Sequence, residues 1–357
     1  MSTTTKNDAG TSALSVETNG INTITEAERK GKPRDLFWPW AAANVSVLGI
    51  AYGSYLLGFG VSFWQATLIG LVGIVVSFFF VGVIALAGKR GSAPTLVLSR
   101  SIFGVNGGRV PSILSWVLTV GWETVLVSLA TLATATVFTA LGWNGGPVTQ
   151  VVALIVVAAL VIAAGVMGFD LILKLQFWIT IVTVILTIGY IVITVAQGHI
   201  DLAAVAALPA GDVPAVIGGF VFMMTGFGLG WVNAAADYSR YLPRNASSKG
   251  VVGWTTFGAS VAPVILLIFG LLLAGSSADL RKALGDDPIG ALSTLLPIWF
   301  LLPFALVAIL GLVGGAVLDI YSSGLSLLTA GIKVPRPVAA GIDGVIMVLG
   351  AIYVVFI

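Results

Sequence analysis

Asn44-Val-Ser-Val-Leu-Gly-Ile-Ala-Tyr-Gly53 and Gly226-Phe-Gly-Leu-Gly-Trp-Val-Asn233 each break a long apolar run with glycine, serine or asparagine. A span that interrupts its own helix inside a bilayer frees backbone N–H and C=O groups. These must then face protein, a cavity or a bound solute. Two such breaks at related places in two halves of a chain point to the binding site of a secondary transporter.

The rest of the sequence fits a membrane frame. Of 357 residues, 58% are hydrophobic and 9% charged, with a mean hydropathy of +1.06; soluble domains are roughly a quarter charged. The net charge of +2 comes from basic residues spread over loops, which gives no nucleic-acid footprint. With no cysteine, disulfides, thiolate metal sites and cysteine nucleophiles are excluded. His199, in the polar loop Gln197-Gly-His-Ile-Asp201, reads as a solvated side chain rather than a metal ligand or proton relay. No metal and no cofactor is expected beyond a coupling cation.

Residues 1–35 are polar, rich in Ser, Thr, Asn and Gly, and read as a disordered cytoplasmic tail. Residues 36–357 form the transmembrane domain, a first repeat over about 36–197 and an incomplete second over about 213–357. At about 20 residues per crossing, the ruler gives about nine spans. They fall near 38–62, 64–87, 110–140, 147–167, 171–197, 213–235, 251–275, 292–330 and 338–357. The eighth is long enough to bend, or to include a short extra turn, near Gly314-Gly315. Fifteen of the 17 basic residues fall on one side of this layout, and Arg281 and Lys282 on the other. That split places the amino terminus in the cytoplasm of a multi-pass cell-membrane protein. The final apolar run, Gly341–Ile357, ends without a polar flank, which suggests a truncated chain.

Intramembrane carboxylates are costly and therefore candidates for function. Glu123 follows Gly121-Trp122 near the middle of the third span, where proton coupling and a structural hydrogen bond compete as readings. Asp319 precedes Ile-Tyr-Ser-Ser in the eighth and marks either a polar cavity wall or a helix end. Asp343, opening the ninth, reads as an interfacial residue. Trp38, Trp40, Trp64, Trp143 and Trp299 belong mostly to span ends, as belt residues. Trp122 and Trp231 each follow a glycine inside a run and offer a flat face to a planar heterocycle, against a reading as ordinary packing. Phe227 is an alternative stacking ring. Asn44, Gln176 and Asn233 supply amides that either pair with a lactam or amidine edge or join helices. Gly226–Gly230 is no phosphate loop, because no strand precedes it and the run lacks a basic residue.

In order, Phe37-Trp-Pro-Trp-Ala-Ala-Ala-Asn44, Ser99-Arg-Ser-Ile-Phe-Gly104, Gly121-Trp122, Gly168-Phe-Asp-Leu-Ile-Leu-Lys-Leu-Gln176, Gly230-Trp231 and Asp237-Tyr-Ser-Arg-Tyr-Leu-Pro243 resemble the nucleobase:cation symporter family, the purine–cytosine permeases. The last string and Gly121-Trp122 are the most specific. The resemblance implies an all-α polytopic fold of twelve helices, built as inverted five-helix repeats with helices 1 and 6 broken. This chain would hold about nine of the twelve. It also implies import of cytosine, a purine or a related ring by cation symport. By the same resemblance Trp122 stacks on one face of the ring and Trp231 or Phe227 covers the other. Asn44, Gln176, Gly230 and Asp319 line the site, and Glu123 or Asp319 serves the coupling ion. Sodium-coupled relatives carry paired hydroxyls where this chain reads Gly314-Gly-Ala-Val-Leu318, which tilts the expectation from sodium to protons.

Alternatives are a truncated, non-transporting relative or a permease for allantoin, a hydantoin or thiamine. A channel would show pore-lining rings, and an intramembrane enzyme a catalytic cluster; neither is visible. Beyond a small-molecule substrate and the lipid bilayer, no nucleic acid or obligate protein partner is expected.

Overall fold

The computed structural model describes residues 16–357, which form helices and turns without a strand. In chain order the helices are α1 (Phe37–Asn44), α2 (Leu48–Leu57), α3 (Phe63–Gly91), α4 (Thr95–Gly107), α5 (Arg109–Ala140), α6 (Pro147–Met167), α7 (Phe169–Ala196), α8 (Leu202–Ala206), α9 (Val213–Gly226), α10 (Ser248–Ser276), α11 (Ala278–Asp286), α12 (Pro288–Ser293), α13 (Leu301–Ala330) and α14 (Arg336–Phe356). Among the described residues, eight helices are long and apolar enough to cross a bilayer, or nine if α1 and α2, bent by 64°, count as one broken span. Each of these helices overlaps one of the apolar runs read from the sequence. At some ends a polar residue caps the helix. Ser62 accepts from Gln65 N at the start of α3, and Asp212 does the same for Ala215 N at the start of α9.

The eighth span differs from its expected form. It does not bend at Gly314-Gly315, since α13 runs unbroken through both, and the extra turns precede it as α12 and Ile298–Phe300. The glycines serve close approach instead. A side chain at Gly311 would strike Val45 O and Ser46 Cα, and one at Gly314 would strike Ala42 O. They let the end of α1 lie directly on α13.

The helices form two packed groups. One joins α1, α2, α3, α9 and α10; the other joins α5, α6, α13 and α14, with α7 reaching both α1 and α13. Large apolar residues such as Leu68, Phe79, Ile155, Ile185 and Leu349 point outward. That pattern suits lipid, which carries no penalty for exposed hydrocarbon.

The expectation of a disordered tail reaching Asp35 is corrected for residues 16–35; residues 1–15 lie outside the described residues. The segment from Glu17 to Leu36 crosses one face of the bundle as a strap. Glu17 N donates to Met167 O (2.9 Å), Ile24 N to Ser92 O (2.8 Å) and Lys30 N to Tyr241 O (2.7 Å). Ile24 is buried at 1% exposure. Composition misled because the strap carries few apolar residues, of which Ile24 and Leu36 are buried, and its polar groups are matched by distant helices.

Candidate functional site

Both sequence breaks become structural breaks. α1 ends at Asn44, Val45 leaves the helical region (φ −84°, ψ 79°), and α2 resumes at Leu48. α9 ends at Gly226, and Phe227 (φ −116°, ψ −108°) leads into a single tight turn, Gly228–Trp231. Gly228 is required there. Its N–H donates to Ser77 Oγ at 3.1 Å, and a Cβ would overlap the α3 backbone at Ser77 and Phe78.

Between the breaks lies a cavity of about 100 Å³, facing α5 and α13 across the seam of the two helix groups. Typical drug-sized sites measure roughly 300–1,000 Å³, so this one fits a small ligand. Its wall brings together six of the residues singled out in the sequence, Asn44, Trp122, Phe227, Gly230, Trp231 and Asp319. Trp122, 40% exposed, presents its ring from α5; Trp231 stands edge-on to the buried Trp40 at 5.7 Å. Asn44 donates Nδ2 to Trp40 O at 2.8 Å, and its Oδ1 accepts nothing from the described residues. The wall thus combines two indole faces, an amide oxygen and a carboxyl group. That is a set suited to a planar ring with N–H donors.

Two residues fall elsewhere. Gln176 is fully buried and donates Nε2 to Gly314 O at 2.7 Å, joining α7 to α13 behind the cavity. Glu123 is fully buried in the α5–α13 contact, with neither carboxyl oxygen partnered. Asn233 also joins helices, donating to Ser115 Oγ at 2.6 Å. Asp343 is not interfacial. It is fully buried, accepting from Trp116 Nε1 (2.7 Å) and Ser323 Oγ (3.0 Å). His199 sits in a loop beside Gln197.

Sequence reasoning missed Ser46, Tyr52, Thr119 and Thr225, which also line the cavity. Thr119 stands three residues before Trp122 and so shares its helix face, a signal that was available. Tyr52 has a second role. It also lines a wide vestibule of about 890 Å³ with Phe59, Phe222, Arg281, Lys282 and Asp286 on the face opposite the strap. Its ring packs on Phe227 at 4.6 Å, and its hydroxyl donates to Gly226 O at 3.3 Å.

The strap face is closed by Asp237-Tyr-Ser-Arg-Tyr241, whose polar side chains reach α4, α13, α3 and the strap. Asp237 Oδ1 accepts from Thr95 N (2.8 Å), Tyr238 donates to Leu318 O (2.6 Å) and Ser239 to Ala85 O (2.6 Å). Arg240, fully buried, donates to Glu17 Oε1 (2.9 Å), Gly20 O (2.6 Å) and Asn19 O (3.1 Å), and Tyr241 also donates to Glu17.

Residues 23–355 match the model of a family described as permeases for cytosine/purines, uracil, thiamine and allantoin. The chain belongs to this family. Curated relatives within it include a putative purine-cytosine permease, YxlA, of Bacillus subtilis, 25% identical over 279 residues. That match takes in 77% of this chain and 58% of YxlA. The purine-cytosine permease FCY2 of Saccharomyces cerevisiae is 25% identical over 282 residues, 77% of this chain and 50% of FCY2. The chain thus spans between half and three-fifths of the length of these relatives. Among solved structures, the nucleobase-cation-symport-1 family transporter Mhp1, closed with bromovinylhydantoin bound, aligns with a TM-score of 0.72 at 17% identity. The alignment covers 95% of this chain and 74% of Mhp1. At that identity the likeness establishes the inverted-repeat transporter fold, and the family makes the chain a multi-pass membrane protein.

Proposed function

We propose that this protein imports a nucleobase or related planar nitrogen heterocycle, of the cytosine/purine class, by cation symport with alternating access. One observation carries this reading: Trp122 and Trp231 converge with Asn44 and Asp319 on a single small cavity between two broken helices. Stacking on aromatic faces contributes about 1–3 kcal/mol per base, and the Asn44 amide and Asp319 carboxyl supply acceptors for ring N–H groups. The purine-cytosine permeases among the relatives support the same substrate class. A hydantoin or allantoin ring is the second reading, favoured by the bromovinylhydantoin in the structure of the same fold.

The strap face is cytoplasmic in this proposal, as the distribution of basic residues requires, and the vestibule beside Tyr52 opens outward. The coupling cation is a proton held on Glu123 or Asp319, because α13 offers no hydroxyl between Gly314 and Leu318. The substrate passes chemically unchanged through a chain set in the lipid bilayer.

The test is equilibrium binding of radiolabelled cytosine, hypoxanthine, uracil, allantoin and hydantoins to the purified chain in lipid nanodiscs, with sodium and pH varied separately. Saturable binding of one ring class, indifferent to sodium and sensitive to pH, is expected. Absence of saturable binding for every ring by a folded sample would reject the substrate class.

A further inference from the structure

On the strap face, α4, the start of α5, the end of α13 and the start of α14 meet around an open basin of about 500 Å³. Arg100 comes from α4, Arg109 opens α5, Lys333 lies in the turn between α13 and α14, and Arg336 opens α14. Thr18 and Asn22 of the strap complete the wall, and none of the residues lining it is acidic.

The four basic groups are unequally used. Arg336 belongs to the fold, buried and donating to Glu17 O, Gly165 O and Val166 O. Arg100 is half engaged: its Nη2 donates to Thr329 O at 2.8 Å, while its Nε is buried without a partner. Arg109 and Lys333 are exposed, and among the described residues neither forms an ion pair. The Arg109 guanidinium lies against Gly331 at the end of α13, where a side chain on that glycine would come within 3.4 Å of Nε. Elsewhere on this face carboxylates answer the basic groups, as Asp170 does for Lys30, Glu26 for Arg244 and Glu17 for Arg240. In the basin, like charges share one concavity and none is neutralised there. An anion entering it relieves that repulsion and meets a focused positive field. Residues 1–15 hold one aspartate and one lysine, so they bring no net negative charge to it.

The depth of the basin selects the kind of anion. Arg109 and Arg336 are the first residues of two spans, which sets the basin at the level of the lipid headgroups. α4 has 13 residues, too few to cross a bilayer that takes about 20. It turns Ile102, Phe103 and Val105 outward, as α5 does Val110 beside Arg109 and the basin's own lining does Ile332. A site for a water-borne anion has no use for such a rim. A phospholipid uses both parts, its phosphate on the arginines and its chains on the apolar residues. We propose that this basin binds the phosphodiester headgroup of an anionic phospholipid in the leaflet on the strap face. In the orientation given above that leaflet is the cytoplasmic one, where anionic headgroups draw basic clusters. The site stands apart from the ring cavity and needs no transported solute.

The test uses the full chain, stripped of lipid in detergent and titrated with phosphatidylglycerol or with phosphatidylcholine of the same acyl chains. Bound lipid is counted by native mass spectrometry. Phosphatidylglycerol should saturate one tight site, with a Kd on the order of 100-fold below that of phosphatidylcholine, from three basic groups at about fivefold each. The double variant R109Q/K333Q changes two exposed side chains and should keep the native melting temperature. Its affinity for phosphatidylglycerol should fall by about 25-fold, with phosphatidylcholine unaffected. R34Q/R90Q removes two exposed charges of the same face that do not line the basin, and should stay within about twofold of the native chain. A native preference for phosphatidylglycerol below about threefold would overturn the site whatever the variants do. Equal losses in the two double variants would also overturn it, by showing general surface charge in place of a built basin. Displacement of the lipid by glycerol phosphate at equal concentration would give the basin to a soluble phosphate ester and overturn the lipid assignment.

Discussion

Replacing Glu17 by alanine should unlatch the strap face. Glu17 Oε1 accepts from Arg240 Nη2 at 2.9 Å, from Tyr321 at 3.1 Å and from Tyr241, while Oε2 accepts from Phe169 N at 2.8 Å and lies 3.9 Å from Arg336 Nε. The Glu17 side chain is 10% exposed and that of Arg240 is 0% exposed, so solvent screens the pair little. Removing one partner of a buried pair costs about 3–5 kcal/mol. Arg240 keeps the carbonyls of Gly20 and Asn19, which places the loss near the lower bound, at about 3 kcal/mol. The strap joins α6, α7, α13 and the segment after α9 across this face, and the whole loss is assigned to the closed state. At 1.4 kcal/mol per tenfold, the population open to the strap face should rise on the order of 100-fold. The chain contains no cysteine, so S326C provides a single label site within the second helix group, where Ser326 on α13 meets Ser115 on α5. Labelling by a membrane-impermeant maleimide should be about 100-fold faster with Glu17→Ala than without it, compared well below the melting temperature of both samples. Less than about a threefold change would mean that the latch contributes under 1 kcal/mol, and the reasoning would fail.

Trp122→Ala and Trp231→Ala should each weaken binding of the recognised ring by about 5- to 150-fold, from the stacking they supply, measured in the nanodisc assay. Gly228→Ala should lower the melting temperature and the yield of monodisperse protein. Its methyl group meets the α3 backbone rather than a yielding side chain, at a cost of about 1–3 kcal/mol. Gln65→Ala removes the partner of Ser62 N and the bonds to both N and O of Gly211, so the melting temperature should fall by a loss of about 1–2 kcal/mol. Unchanged melting would show that the α3–α9 connection is held by packing alone.

The spans were legible because each is a long apolar run, and α3, α9 and α10 begin at a polar cap; both the ruler and those caps are local. The breaks were legible for the same reason, since glycine and asparagine weaken an apolar helix and stand out within one. The strap was not. Its order depends on Arg240, Arg336 and Ser92, which lie far away in sequence, and on carbonyl acceptors that composition does not reveal. Asp343 was misplaced because its distance from the helix start was judged without its facing. Arg336, Ala340, Asp343, Met347 and Ala351 recur at helical spacing and mark the packed side of α14, a pattern that was available. The separation of Gln176 from the cavity depends on which side of α13 each neighbour packs against, and pairwise helix geometry is not written in one sequence.

Tyr52 forms part of two walls at once, those of the inner cavity and of the outer vestibule. A ring in that position makes the two spaces rivals. Whatever presses it toward Phe227 takes room from the inner compartment and gives it to the outer, and a solute filling the inner one pushes back. A molecule wedged in the vestibule against Tyr52 would therefore compete with the inner solute without ever sharing its volume. Inhibition that looks competitive in an assay need not, in this protein, mean a common site.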